Sequence, residues 1–100
     1  MVLINENIIK AMTMLEELLI NYVEKEINVC IHGNVDSVMF RYSSIINEYH
    51  IEPNEFCLIC GWFELEFRKE MICITYDEEL NSIHIMFENG ELYIDINEDF

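Results

Sequence analysis

The chain has 100 residues, 52% hydrophobic and 12% aromatic, with 20 acidic against five basic side chains and a formal net charge of −15. That composition excludes a disordered acidic tail and supplies the core of a single domain over residues 1–100. It argues against direct nucleic-acid binding, which needs clustered Lys and Arg, and against anionic membranes.

The N-terminus MVLINENIIKAM lacks a basic segment ahead of a long apolar run, and no stretch approaches about 18 uninterrupted apolar residues. A cytoplasmic protein is expected. Its four cysteines, Cys30, Cys57, Cys60 and Cys73, then read as reduced thiols rather than a disulfide frame.

Ile8, Met12, Leu15, Leu19 and Tyr22 recur at helical spacing, widened by Ile9 and Val23, with polar residues largely on the other side. A helix over residues 5–26 is predicted, capped by Asn5 with Glu6 in its first turn. Beyond it the period drops to two. Residues 27–32 form a short strand stopped by Gly33-Asn34, and residues 37–46 form a second. NEYHIEPNE, with Pro53, reads as a loop.

From residue 56 the pattern is that of a meander. Phe63, Leu65 and Phe67 share one face, and a turn near Arg68-Lys69 sets Leu65 across from Ile72 and Phe63 across from Ile74. Asp77 to Asn81 makes the next turn. Asn89-Gly90 reads as a type I′ hairpin loop. That loop sets Phe87 opposite Leu92, Ile85 opposite Ile94 and Ile83 opposite Ile96, with Met86 beside Tyr93 and His84 beside Asp95 on the other face. The expected fold is α+β: one N-terminal helix packed on an antiparallel sheet of about five to six strands.

Within EFCLICGWFELEF, Cys57 and Cys60 have the spacing of a zinc knuckle. A tetrahedral zinc needs two further ligands, and no second C-x-x-C supplies them. In an extended strand the same two cysteines point to opposite faces. The strand reading accounts for the row Cys57, Ile59, Gly61, Phe63, Leu65 and Phe67, so no metal or cofactor is expected. Phe56, Leu58, Cys60 and Trp62 make the other face apolar too. A second cover is therefore expected there, from the 27–50 segment or from another molecule. Trp62, with Met71, Cys73 and Tyr93 as neighbours, is the candidate apolar interface, and a homodimer is one occupant.

No nucleophile-elbow, HExxH, P-loop or dinucleotide-binding motif is present, and no enzyme is expected. Asp95-Ile-Asn97-Glu-Asp99 opens like a calcium loop but lacks the Gly and bidentate Glu that follow. In size, acidity and lack of a catalytic motif, the whole chain resembles small acidic inhibitors of phages and mobile elements, of anti-CRISPR or DNA-mimic type. It is also similar to cytosolic immunity proteins that neutralise basic nucleases. No motif carries this likeness, so no family residue is transferred. The resemblance implies a non-enzymatic protein that occupies the basic, nucleic-acid-binding surface of a partner. The candidate contacts are Glu64 and Glu66, Asp77, Glu78 and Glu79, and Glu98 and Asp99. The alternative is a homo-oligomeric structural or regulatory subunit built on the Trp62 face.

Overall fold

Residues 3–96 are described by the structure, a computed structural model. Helix α1 spans Leu3–Glu24 and buries Ile8, Leu15, Leu19 and Tyr22, the expected stripe, whereas Ile9 is exposed. It begins ahead of Asn5, which therefore lies in the first turn and not at the cap. Its end is a Schellman motif: Ile27 N–H donates to the Tyr22 carbonyl (3.0 Å), Glu26 N–H to that of Val23 (3.2 Å), and Glu26 takes a φ of 51°. Glycine usually occupies that left-handed position. With Glu there, the stop carries little signal in the sequence.

Seven antiparallel strands follow: β1 (Asn28–Val35), β2 (Val38–Glu52), β3 (Glu55–Cys60), β4 (Glu64–Phe67), β5 (Met71–Asp77), β6 (Ser82–Phe87) and β7 (Gly90–Ile96). They are arranged β4-β3-β2-β1-β7-β6-β5. The fold is α+β, but the expected count of five to six strands is wrong for two local reasons. Residues 47–52, read as loop, are the second half of β2. Residues 56–67, read as one strand, are the β3–β4 hairpin, reversed at Gly61-Trp62, where Cys60 N–H donates to the Phe63 carbonyl (2.9 Å).

A β-bulge between Ile46 and Glu48 explains the first error. Before it, even-numbered Phe40, Tyr42 and Ile46 turn toward the core; after it, odd-numbered Tyr49 and Ile51 do. One extra residue inverts the alternation and bends the strand. The bend also divides β2 between partners, because Val38–Ile45 pairs with β1 and Ile46–Glu52 pairs with β3.

The sheet consequently curls until its ends meet. β4 and β5 close the two ends of the order, yet only residues 68–70 join them. Such a link spans at most about 15 Å. Met71 N–H reaches across to the Pro53 carbonyl (3.0 Å), and the Phe67 and Phe87 rings lie 5.3 Å apart. Phe40 of β2 faces Phe67 of β4 at 5.8 Å, and Tyr42 of β2 faces Phe63, just ahead of β4, at 4.6 Å. Helix α1 packs against β2 and β5 and covers the remaining side.

The meander registers change accordingly. Leu65 lies opposite Leu58 and Phe67 opposite Phe56, in place of the expected pairing with the following strand. A second bulge between Met71 and Cys73 turns Ile72 out to solvent, while Ile74 stays in the core. Strand β1 runs through Gly33-Asn34 to Val35. Glycine is required there, since a Cβ on Gly33 would stand 2.2 Å from the Glu91 carbonyl oxygen. The two-residue loop with positive φ at both positions is Asp36-Ser37. The β6–β7 loop is Glu88-Asn89, which shifts that hairpin two residues from the expected register and pairs Ile85 with Leu92 and Ile83 with Ile94. Gly90 is needed where the β1–β2 corner presses on it, a Cβ there meeting the Asn34 carbonyl oxygen at 2.0 Å.

Candidate functional site

The outward face of β2, β3 and β4 concentrates acid. Cross-strand partners share a face, so the strand registers set out rows: Glu48–Ile59–Glu64, then His50–Cys57–Glu66, then Glu52–Glu55 at the turn. Glu48, Glu52, Glu64 and Glu66 are exposed and Glu55 is half-buried. Strands stand about 4.8 Å apart and alternate residues about 6.7 Å apart, so five carboxylates fall within roughly 10 × 14 Å. The one guanidinium at its margin is Arg68, 3.3 Å from Glu66.

The outward face of the other strands differs in chemistry. One row crosses five strands as Arg41–His32–Tyr93–His84–Thr75. Tyr93 is sandwiched between the two imidazoles, 5.1 Å from His32 and 4.3 Å from His84, with ring planes within 9° and 3° of parallel. His32 bonds Asp95 and His84 bonds Glu91, each at 2.8 Å. The expected His84–Asp95 pair is thus replaced, because the two-residue register shift puts His84 opposite Tyr93. Burial, reinforced by Glu91 and Asp95, holds the Tyr93 phenol above its usual range. Ser82 and His32 both bond Asp95, one to each carboxylate oxygen. The carboxylate lies between them, so the imidazole is not placed to take the hydroxyl proton as a nucleophile's base must.

Cys57 and Cys60 lie on opposite faces of β3. Cys60 belongs to the core, and Cys57 turns outward beneath Glu64, its Sγ 3.4 Å from that carboxylate. Burial pushes both thiols up to about 11, aided at Cys57 by Glu64, Glu66 and Glu55. Unfolded thiols lose protons from about pH 9, whereas the folded ones hold them to about 11. Between these values the unfolded chain binds fewer protons, so stability falls as pH rises. The Cys60→Val protein should be less sensitive by about 1 kcal/mol, after solvent screening, in urea denaturation at pH 8 and pH 10.5. At neutral pH a maleimide should label exposed Cys73 well before the other three, which are buried.

The remaining expected site residues are scattered. Glu64 and Glu66 lie in the acidic face. Asp77, Glu78 and Glu79 are exposed at the β5–β6 turn, beside a concavity of about 710 Å³ that Met14 of α1 also lines. The Asp77 carboxylate accepts from the Glu79 and Leu80 amides at 3.0 and 3.3 Å. Strand β5 carries this trio about 20 Å from Met71, which touches the β2–β3 turn, so the two clusters are separate. Glu98 and Asp99 lie outside the described residues.

Trp62, Met71 and Tyr93 do not form one surface. Met71 is buried in the core, Tyr93 lies in the imidazole row, and Trp62 is 69% exposed at the β3–β4 turn, edge-on to Tyr42 and Phe63. The expected second cover over the Phe56, Leu58 and Cys60 face is supplied within the chain, because that face points into the core. Glu48, Glu52 and Glu55 were not anticipated as site residues. Their signal was the alternation of Glu48, His50 and Glu52 against Tyr49 and Ile51, hidden by the phase change at the bulge. Among the described residues no helix is long and apolar enough to cross a membrane. Comparison with protein-family models, curated proteins and solved structures finds no match to this chain.

Proposed function

We propose that this chain is a non-enzymatic acidic binding protein whose β2–β3–β4 face occupies the basic, nucleic-acid-binding surface of a partner protein, in the manner of anti-CRISPR or DNA-mimic inhibitors. The observation that carries this reading is the row arrangement of Glu48, Glu52, Glu55, Glu64 and Glu66 on one outward face. Along β4 the Glu64 and Glu66 side chains stand about 6.7 Å apart, and the face as a whole presents a dense array of negative charge, as a nucleic-acid backbone does. Like charges directly opposed on neighbouring strands, as in Glu52 and Glu55, destabilise a sheet. Solubility alone does not require that directly opposed pair, since the same charges set apart would keep the surface as wet.

Such a complex forms quickly and weakens steeply with salt. The test has two parts. Immobilised protein at low salt should retain a nucleic-acid-binding protein from its host, and free chain should then release that protein from labelled duplex DNA. The concentration needed should rise roughly tenfold or more between 50 and 200 mM salt. Failure to displace DNA from any retained protein would refute the reading. A second reading, self-association, is favoured by the exposed Trp62 at its aromatic corner. Light scattering that shows a salt-insensitive dimer, lost in Trp62→Ala, would favour it.

A further inference from the structure

We propose that His50, Glu52 and Glu55, at the tip of the β2–β3 hairpin, bind one divalent transition-metal ion. One ligand atom from each residue lies within 4.8 Å of the other two. His50 Nε2 stands 2.5 Å from a Glu52 oxygen and 3.9 Å from one of Glu55. A zinc-sized ion holds such donors at about 2.0–2.2 Å, which sets neighbouring donors about 3–3.5 Å apart. Reaching that spacing takes movements of about 1 Å at the ends of largely exposed side chains, with no change of backbone.

The backbone beneath is already fixed. Glu52 and Glu55 are direct cross-strand partners around the two-residue loop Pro53-Asn54, and His50 lies two residues back on the same face. The loop is anchored from outside by the Met71 N–H on the Pro53 carbonyl. A cation bound between Glu52 and Glu55 turns their mutual repulsion into shared attraction. The imidazole distinguishes this tip from the rest of the acidic face. Glu48, Glu64 and Glu66 offer oxygen alone and draw any cation diffusely. One nitrogen with two carboxylates instead suits Zn²⁺, Co²⁺, Ni²⁺ or Mn²⁺ over Mg²⁺ and Ca²⁺. Three protein ligands leave further coordination positions to water.

The site depends on no partner, so it stands or falls separately from the docking role. Titration of the full chain with Co²⁺, followed by visible absorption, and with Zn²⁺ against a chromophoric chelator, should show one equivalent bound. His50→Ala should weaken binding roughly thirtyfold or more, and Glu52→Gln or Glu55→Gln roughly tenfold each. Glu66→Gln removes the same charge from the same face two strands away and should change binding less than about threefold. All these side chains are at least partly exposed, so the variants should fold. Equal losses in Glu66→Gln and Glu52→Gln, or full binding by His50→Ala, would overturn the site as diffuse attraction. A thiolate-to-cobalt absorption band would overturn it in favour of a cysteine.

Discussion

A protein carrying Glu48→Gln, Glu64→Gln and Glu66→Gln is expected to lose its partner at low salt while folding at least as stably as the wild type. Each of these carboxylates faces solvent on the β2–β3–β4 surface, and none is needed by the core. Contacts of this kind contribute about 1 kcal/mol each in a complex, so three together lower affinity by roughly a hundredfold. In the free protein the same change relieves repulsion among neighbouring carboxylates and lowers a net charge of −15 to −12, a gain of about 0.5–1 kcal/mol. Glutamine still offers Cys57 an acceptor oxygen, and the exposed Arg68–Glu66 pair is worth under about 1 kcal/mol. Calorimetric titration and urea denaturation would read the two effects. The control is Glu16→Gln, Glu17→Gln and Glu78→Gln, which removes the same charge from exposed positions elsewhere. If both triple variants bind alike, net charge rather than this face makes the contact.

Phe56→Ala should have the largest effect on folding. The ring is fully buried and lies 6.5 Å from both Phe67 and Phe87, at the place where the two ends of the sheet come together. Its removal leaves a cavity that strands on either side are too constrained to fill, at a cost of about 3–5 kcal/mol. Domains of this size hold about 5–15 kcal/mol in all, so the melting temperature should fall by roughly 15–30 °C. Leu80→Ala, at an exposed position in the β5–β6 turn, should stay within about 0.5 kcal/mol of wild type. Thermal and urea unfolding followed by circular dichroism would measure both. A loss of under about 1 kcal/mol at Phe56 would contradict the closure of the sheet around it.

How far the sequence could be read varies with the range of the interaction. The α1 stripe of Ile8, Leu15, Leu19 and Tyr22 was legible because helical hydrogen bonds and the buried face repeat within one segment. Its C-terminal stop was not, because Glu26 takes a conformation that glycine usually marks. Turns at Asp77–Asn81 and alternation within β6 and β7 were legible for the same local reason. The β6–β7 register slipped by two residues even so. A slip of two preserves the faces, so hydrophobic pattern cannot choose between the alternatives. The choice is made by Gly90, which must lie where Asn34 and Val35 crowd it.

Strong negative charge and the alternation within β6 and β7 are written in the chain, since both are sums over neighbouring residues. The acidic face is not. It exists because a bulge after Ile46 reverses the phase of β2, and because β4 folds back on β3 instead of onward to β5. Both depend on pairings between segments that composition and periodicity treat as independent. Met71 on Pro53 and Phe67 on Phe87 then hold the sheet's ends together. Charge was set by the residues; its concentration on one face was set by which strands meet.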